Sequence, residues 1–177
     1  MEFHGRPAEQ PLPGLSWRPM TAVDLDAVAR IAVIGFPDHF EGRPCFGNRL
    51  ALYPSGCFVL AAGDGPPQGY LIAYPWPAGA APALNTLIPA IPADAAVIYL
   101  HDLNLLPTVR GGGWSRPIIA RLVQDARAAG WSTLALVAVN DATPFWQRHG
   151  FTVVEAPGMA AKLAGYGTDA RYMVRPL

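Results

Sequence analysis

Lysine is almost absent from this chain: Lys162 is the only one in 177 residues. Charged residues make up 15%, and Lys+Arg 13 balance Asp+Glu 13. A chain with no net charge and no basic run lacks the electrostatic footprint of a nucleic-acid binder or a polybasic membrane patch. Cysteine is scarce as well. Cys45 and Cys57 are too few for a disulfide framework, and their spacing is wrong for a zinc knuckle; they read as two reduced thiols, with a single bridge between them as the alternative. No apolar run approaches the ~18 residues of a membrane span. The opening MEFHGRPAEQPLPG is polar and proline-rich, without the basic-then-apolar order of a signal peptide. These absences lead to the expectation of a soluble, cytoplasmic protein without a metal site.

What the chain does contain is apolar mass, 51% of residues, and many turn formers, Gly 18 and Pro 19. At this length one domain is expected, with roughly 70% of the unfolded chain's surface buried. Residues 1–14 read as a tail and 15–177 as the domain. Leu15–Met20 is a strand candidate. Thr21 opens TAVD, which has the spacing of a capping box, and Val23, Leu25, Val28, Ile31, Ala32 and Ile34 follow at near-helical spacing. Pro44–Tyr53 fits a second helix. Cys57–Ala62 and Tyr70–Tyr74 flank GDGPPQG and read as an antiparallel hairpin. Trp76–Asp94 is proline-rich and aperiodic, a long loop of the kind that carries function or moves. Ala95–Leu106 is the strongest strand. Ile119, Leu122, Val123 and Ala126 mark a helix that Gly130 stops. Ser132–Val139 is a buried strand, Asn140 opens a short helix to His149–Gly150, and Phe151–Val154 with Arg171–Val174 supply the last strands. The expected order is βααβββαβαββ, an α/β (α+β) mixed sheet with helices on both faces.

The stretch from Leu105 to Ser115, LLPTVRGGGWS, carries the chemistry. Three glycines between a strand and a helix leave backbone N–H groups approachable where the helix dipole is positive. Arg110 adds a full charge, and Pro117 in the first helical turn removes an N–H that would have no intrahelical partner. Main-chain amides so placed suit phosphate oxygens, although a tight connection alone would also explain such a turn. A P-loop would need a lysine nearby, and a dinucleotide fingerprint would need glycine at Arg116.

The pattern P-x-x-R-G-x-G-x-[GAS], here Pro107 to Ser115, resembles the acyl-CoA pyrophosphate motif of the GNAT superfamily of N-acyltransferases. Asn140 and then Phe145-Trp146-Gln147-Arg148-His149-Gly150-Phe151 resemble that family's N…[LF]-Y-x-x-x-G-F signature. The resemblance covers residues 15–177. It implies two central parallel strands, Ala95–Leu106 and Ser132–Val139, that splay at their C-terminal halves around the pantetheine arm of acetyl-CoA. It places Leu103 and Leu105 beside the pantetheine. Arg110, Gly111, Gly112, Gly113, Trp114 and Ser115 fall around the pyrophosphate, and Asn140 and Phe145 at the thiol end. Asn140 also reads as the N-cap of its helix. Trp146 stands where the family often has a tyrosine that protonates the leaving thiolate; an indole N–H donates but is not acidic.

For the base, His101 is the first candidate and Asp102 the second, with a buried, purely structural His–Asp pair as the alternative. Strand alternation puts His101 with Leu103 and Leu105 on one face, and Asp102 with Asn104 on the other. The acceptor region implied by the resemblance is Phe36–Arg43 together with Trp76–Asp94, the latter as an apolar lid. Asp38, His39 and Glu41 read as a surface acidic loop, or as an attractor for a cation. The expected function is transfer of an acetyl group from acetyl-CoA to a primary amine of a small molecule or peptide. Attack is direct in a ternary complex, since neither cysteine lies in the motifs. The alternative is a non-catalytic acyl-CoA-binding domain. Family members are often dimers.

Overall fold

The computed structural model describes residues 14–177; all but the last residue of the expected tail falls outside the described residues. Seven strands form one sheet in the order β1-β2-β3-β4-β5-β7-β6. They are β1 (Leu15–Pro19), β2 (Cys57–Ala62), β3 (Gly69–Trp76), β4 (Val97–Leu105), β5 (Thr133–Ala138), β6 (Thr152–Val153) and β7 (Arg171–Pro176). All neighbouring pairs are antiparallel except β4 and β5. Helices α1 (Leu25–Gly35) and α2 (Arg43–Leu52) cover one face of the sheet, joined by the short α5 (Met159–Ala164). Helices α3 (Ser115–Ala128) and α4 (Thr143–Arg148) cover the other. No helix among the described residues is long and apolar enough to cross a membrane.

The expected elements are present, with instructive shifts. The capping box at Thr21 exists, but it caps a 3-10 turn, Ala22–Asp24, and the α-helix begins at Leu25. Val23 therefore sits outside the helical stripe and is 91% exposed; Ile34 is exposed too. Asp24 is held by Arg18 through two hydrogen bonds of 2.8 and 2.9 Å, which fixes the entry to α1. Asn140 is not the N-cap of α4. It and Asp141 adopt left-handed backbone, φ 53° and 57°, and Ala142 occupies the cap position without a side-chain hydrogen bond. Asparagine and aspartate tolerate that conformation better than other non-glycine residues, so the chain turns sharply here before the helix starts. Helix α5 has only six residues, too short for its periodicity to be read from sequence.

One buried polar link sets α1 against the central strand. Asn104 of β4, 5% exposed, donates from Nδ2 to the Ile31 carbonyl at 3.0 Å. A β-carbon added at Gly35 would lie 2.2 Å from that amide. Gly35→Ala is therefore expected to cost about 1–3 kcal/mol through overpacking, measured as a lowered urea midpoint; an unchanged midpoint would show that Asn104 moves aside freely.

Candidate active site

Pairing between β4 and β5 is brief. Only Ile98↔Leu134 and Tyr99↔Ala135 are in register, whereas β3 accompanies β4 along its whole length. Beyond Tyr99 the β5-facing edge of β4 has no strand beside it, which is the splay expected for the central strands. A cavity of about 400 Å³ occupies this region. Leu103, Leu105, Arg110, Ser115, Asn140, Phe145 and Trp146 line it toward one side of the sheet, and Phe36, His39, Glu41, Leu84, Tyr99 and Tyr166 toward the other, with His101 and Asp102 between.

The glycine turn lies at the first end. Gly111 and Gly113 have φ of 79° and 78°, values that favour glycine, and Gly111, Gly112 and Gly113 are exposed. Trp114 precedes α3 and offers its first amides no side-chain cap, so these N–H groups are open to an anion. The Trp114 ring itself packs against the Leu15, Leu60 and Val109 cluster, and its carbonyl accepts from the Trp17 indole at 2.9 Å. Arg110 is exposed and folds back, Nε donating to the Leu105 carbonyl at 2.9 Å. Gly111, Gly112, Gly113 and Trp114 do not line the cavity; they form the rim beside it.

At the middle of the cavity β4 departs from strict alternation. The register with β3 passes from Ile72↔Asp102 to Ala73↔Leu100, so His101 is the extra residue of a β-bulge. The expectation that His101 and Asp102 face opposite sides of the sheet is therefore wrong. Both turn toward the α1–α2 face: the Tyr74 hydroxyl lies 3.1 Å from His101 Nδ1, and the Tyr70 hydroxyl donates to Asp102 Oδ2 at 2.9 Å. Tyr70 and Tyr74 lie on that same face of β3, with Ile72 between them.

Glu41 completes the group. It is not a surface residue but 5% exposed, and it pairs with His101 Nε2 while accepting from the Asn85 N–H at 3.1 Å. One donor atom from each of Glu41, His101 and Asp102 lies within 4.8 Å of the others. Burial alone would push the Glu41 carboxyl up, but His101 outweighs it and holds the carboxyl below its usual range. Burial likewise opposes charge on His101, yet Asp102 and Glu41 together hold its pKa above the ordinary value. Asp102 goes the other way: burial, reinforced by the Glu41 charge, raises it to about 6 despite His101 and the Tyr70 hydrogen bond. With both ring nitrogens engaged, His101 has no lone pair left to offer, whereas the second oxygen of Asp102 has no partner among the described residues.

The loop from 77 to 96 roofs the far end, and it is tied rather than free. The Tyr166 hydroxyl donates to the Pro82 carbonyl, Lys162 to the Ala81 carbonyl at 3.3 Å, and the Gly79 N–H to the Tyr172 hydroxyl at 2.9 Å. Its own Ala81 and Ile88 are buried. Trp146 is 8% exposed, set edge-on to Phe145 and Phe151 at 4.9 and 5.5 Å between ring centres. Its indole makes no hydrogen bond among the described residues. Both cysteines are free and buried.

Glu41 is buried where the sequence favours a surface acidic loop. It lies 60 positions from its partner, and nothing in the local pattern PDHFEG distinguishes a buried carboxylate from an exposed one. Arg49 was missed outright. It is 2% exposed, stands 5.5 Å from the Tyr74 ring centre, and donates to Asn48 Oδ1 and the Thr86 carbonyl at 2.8 and 2.7 Å.

The chain matches the family model described as Acetyltransferase (GNAT) family over residues 25–151. Among solved structures, Ard1 from Thermoplasma volcanium is similar with TM-score 0.71 and 14% identity, over 93% of this chain and 98% of that one. GphF, a GNAT-like decarboxylase in complex with isobutyryl-CoA, is similar with TM-score 0.71 and 18% identity, over 91% and 98%. N-acetylglutamate synthase from Neisseria gonorrhoeae, complexed with coenzyme A and N-acetyl-glutamate, gives TM-score 0.64 and 17% identity, over 92% of this chain and 35% of that one. No curated protein matches the sequence. Identities this low speak for the fold alone. The matched span, however, exceeds half the chain and contains the glycine turn, the splayed strands and the buried acid cluster. The chain belongs to the acetyltransferase (GNAT) family.

Proposed function

We propose that the protein transfers an acyl group, acetyl in the first instance, from acyl-CoA to a primary amine, with Asp102 taking the amine's proton. The observation that carries this reading is a buried carboxyl group with one oxygen unpartnered among the described residues, on a cavity in the gap between β4 and β5, where burial raises its pKa to about 6. Acid–base catalysis favours a group that titrates near the working pH.

Several features fit the donor. The unpaired edge of β4 offers main-chain groups to a pantetheine arm, with Leu103 and Leu105 alongside it. The uncapped first turn of α3 and the positive-φ glycines 111 and 113 suit its diphosphate, with Arg110 and Ser115 at the rim. Asn140 and Phe145 border the opposite wall. Bound there, the donor supplies a thioester carbonyl to the cavity.

An alkylammonium with a pKa near ~10 stands about four units above Asp102, an uphill transfer of ~5–6 kcal/mol. Loss of water inside the cavity lowers the ammonium's pKa and narrows that gap. His101 then acts as a positioning residue. Locked between Glu41 and Tyr74, it sets a positive charge beside Asp102, so the carboxylate remains available above pH 6. After proton loss the amine nitrogen bonds to the acyl carbon as the carbon–sulfur bond breaks. The products are the amide, CoA thiol and one proton. A thiol of pKa about 8.5 leaves readily, so no acid is needed at the position of Trp146. The packing of that ring among Phe145 and Phe151 supports a structural role.

Asp102→Asn should lower kcat by ~10²–10⁴ with acetyl-CoA affinity little changed, read by thiol release and by thermal shift. His101→Gln should cost less and displace the pH midpoint of the rate upward, away from about 6, because the cation beside Asp102 is gone. The same carboxyl gives a stability signature. Its folded pKa lies above its unfolded one, so ionising it costs stability as the pH rises through 6 and costs nothing below 4. Asp102→Asn should therefore be relatively most stable against the wild type above pH 6, an advantage that vanishes near pH 4. Trp146→Phe should change turnover less than tenfold, under ~1.4 kcal/mol; a loss of a hundredfold would mean the indole holds the leaving sulfur. A protein that binds acetyl-CoA but releases no thiol with any amine would be a binding domain, and the transferase reading would fail.

A further inference from the structure

The far end of the cavity is lined by groups that accept hydrogen bonds. Asp102 offers its unpartnered oxygen, and Glu41 lies beside it. His39 lines the same end. Its Nε2 faces the Tyr166 carbonyl at 2.6 Å, and a carbonyl only accepts, so Nε2 carries a hydrogen. His39 Nδ1 is buried without a partner among the described residues. The Tyr166 hydroxyl spends its hydrogen on the Pro82 carbonyl and presents only oxygen. The remaining walls are the rings of Phe36 and Tyr99 and the side chain of Leu84.

Among the described residues, no arginine or lysine side chain lines this end. His101 has both nitrogens engaged. Arg49 lies behind Tyr74 and does not line the cavity, and Arg110 is at the opposite rim. A ligand carrying a carboxylate next to its amine would therefore bring a second negative charge against Asp102 and Glu41 with no guanidinium or ammonium among the described lining residues of this end to meet it. Ligand size is limited as well. The roof loop is tied through Gly79, Ala81 and Pro82, and the 400 Å³ cavity is at the small end for sites of drug-sized ligands, yet it would hold both the pantetheine end and the acceptor.

We infer that the acceptor is a compact primary amine with no carboxylate beside its nitrogen, rather than an amino acid or a polypeptide terminus. The inference rests on the transferase reading for the word acceptor, and on the lining alone for the ligand class. An ammonium group supplies the donors that the free oxygen of Asp102 and the Tyr166 hydroxyl oxygen can accept, and aromatic walls favour a cation and an apolar stem.

The test pairs each amine with its carboxylated counterpart. 2-Phenylethylamine is set against phenylalanine and isobutylamine against valine, with the tripeptide phenylalanyl-alanyl-alanine as the chain-terminus probe. Binding is read by calorimetry on the CoA-loaded full-length protein, and turnover by thiol release with acetyl-CoA. The expected result is at least a hundredfold preference for the amine over the amino acid and over the peptide. Equal or reversed preference, or no binding by either amine while CoA binds, overturns the inference. Selective binding of amines without thiol release leaves the ligand class standing and sinks the transferase reading instead. Leu84→Arg, which puts a guanidinium on the lining, should narrow the preference at least tenfold in favour of the amino acids. A folded Leu84→Arg protein with unchanged preference would overturn the electrostatic basis of the inference.

Discussion

Where β4 and β5 stop pairing after two residues, the sheet gives up hydrogen bonds that an ordinary parallel pair would keep. Buried main-chain groups need partners, so an unpaired edge at the centre of a sheet persists only where water or a ligand reaches it. That edge is the constraint from which the rest of the site follows. It opens the cavity, it aligns the end of β4 with the glycine turn, and it brings α4 and the α1–α2 loop within reach of one space. Antiparallel pairing with β3 from Val97 to Leu105, interrupted only at His101, holds the other edge of β4.

The second device is the bulge at His101. An extra residue in β4 turns two successive polar side chains to one face, where strict alternation would separate them. Together with Glu41 from the α1–α2 loop they form a buried group in which each charge alters its neighbours. Glu41 and His101 stabilise each other's ionised forms, and Asp102, next to a carboxylate already ionised, retains its proton to a higher pH. Burying such charges weakens the fold. A fold stabilised by two apolar clusters on opposite sheet faces tolerates that cost.

Much of this was legible in the sequence because it is local. The glycine turn, the strand before it and the helix after it lie in one stretch of about thirty residues, and the hairpin of β2 and β3 is marked by its own turn. Other features depend on partners far along the chain. The bulge is defined by the register of β3, about thirty residues upstream, and no property of His101 itself announces it. Glu41 reads as surface because acidic loops usually are. Asn140 sits at a sharp left-handed turn rather than a helix cap, a distinction the residue type leaves open because asparagine suits both. The helical spacing continues through Val23, but the 3-10 turn at the start rotates it into solvent.

The account stands on Asp102 being the group poised to take a proton. Its ionisation is directly observable in the free protein by carbon-13 resonance of the side-chain carboxyls across pH 3 to 9, with Asp102 assigned by comparison with Asp102→Asn. A carboxyl signal titrating near 6, as its burial beside Glu41 requires, is the predicted result. A midpoint at the ordinary aspartate value of about 3.9 would contradict it, leaving the buried trio a structural feature and the base elsewhere in the cavity.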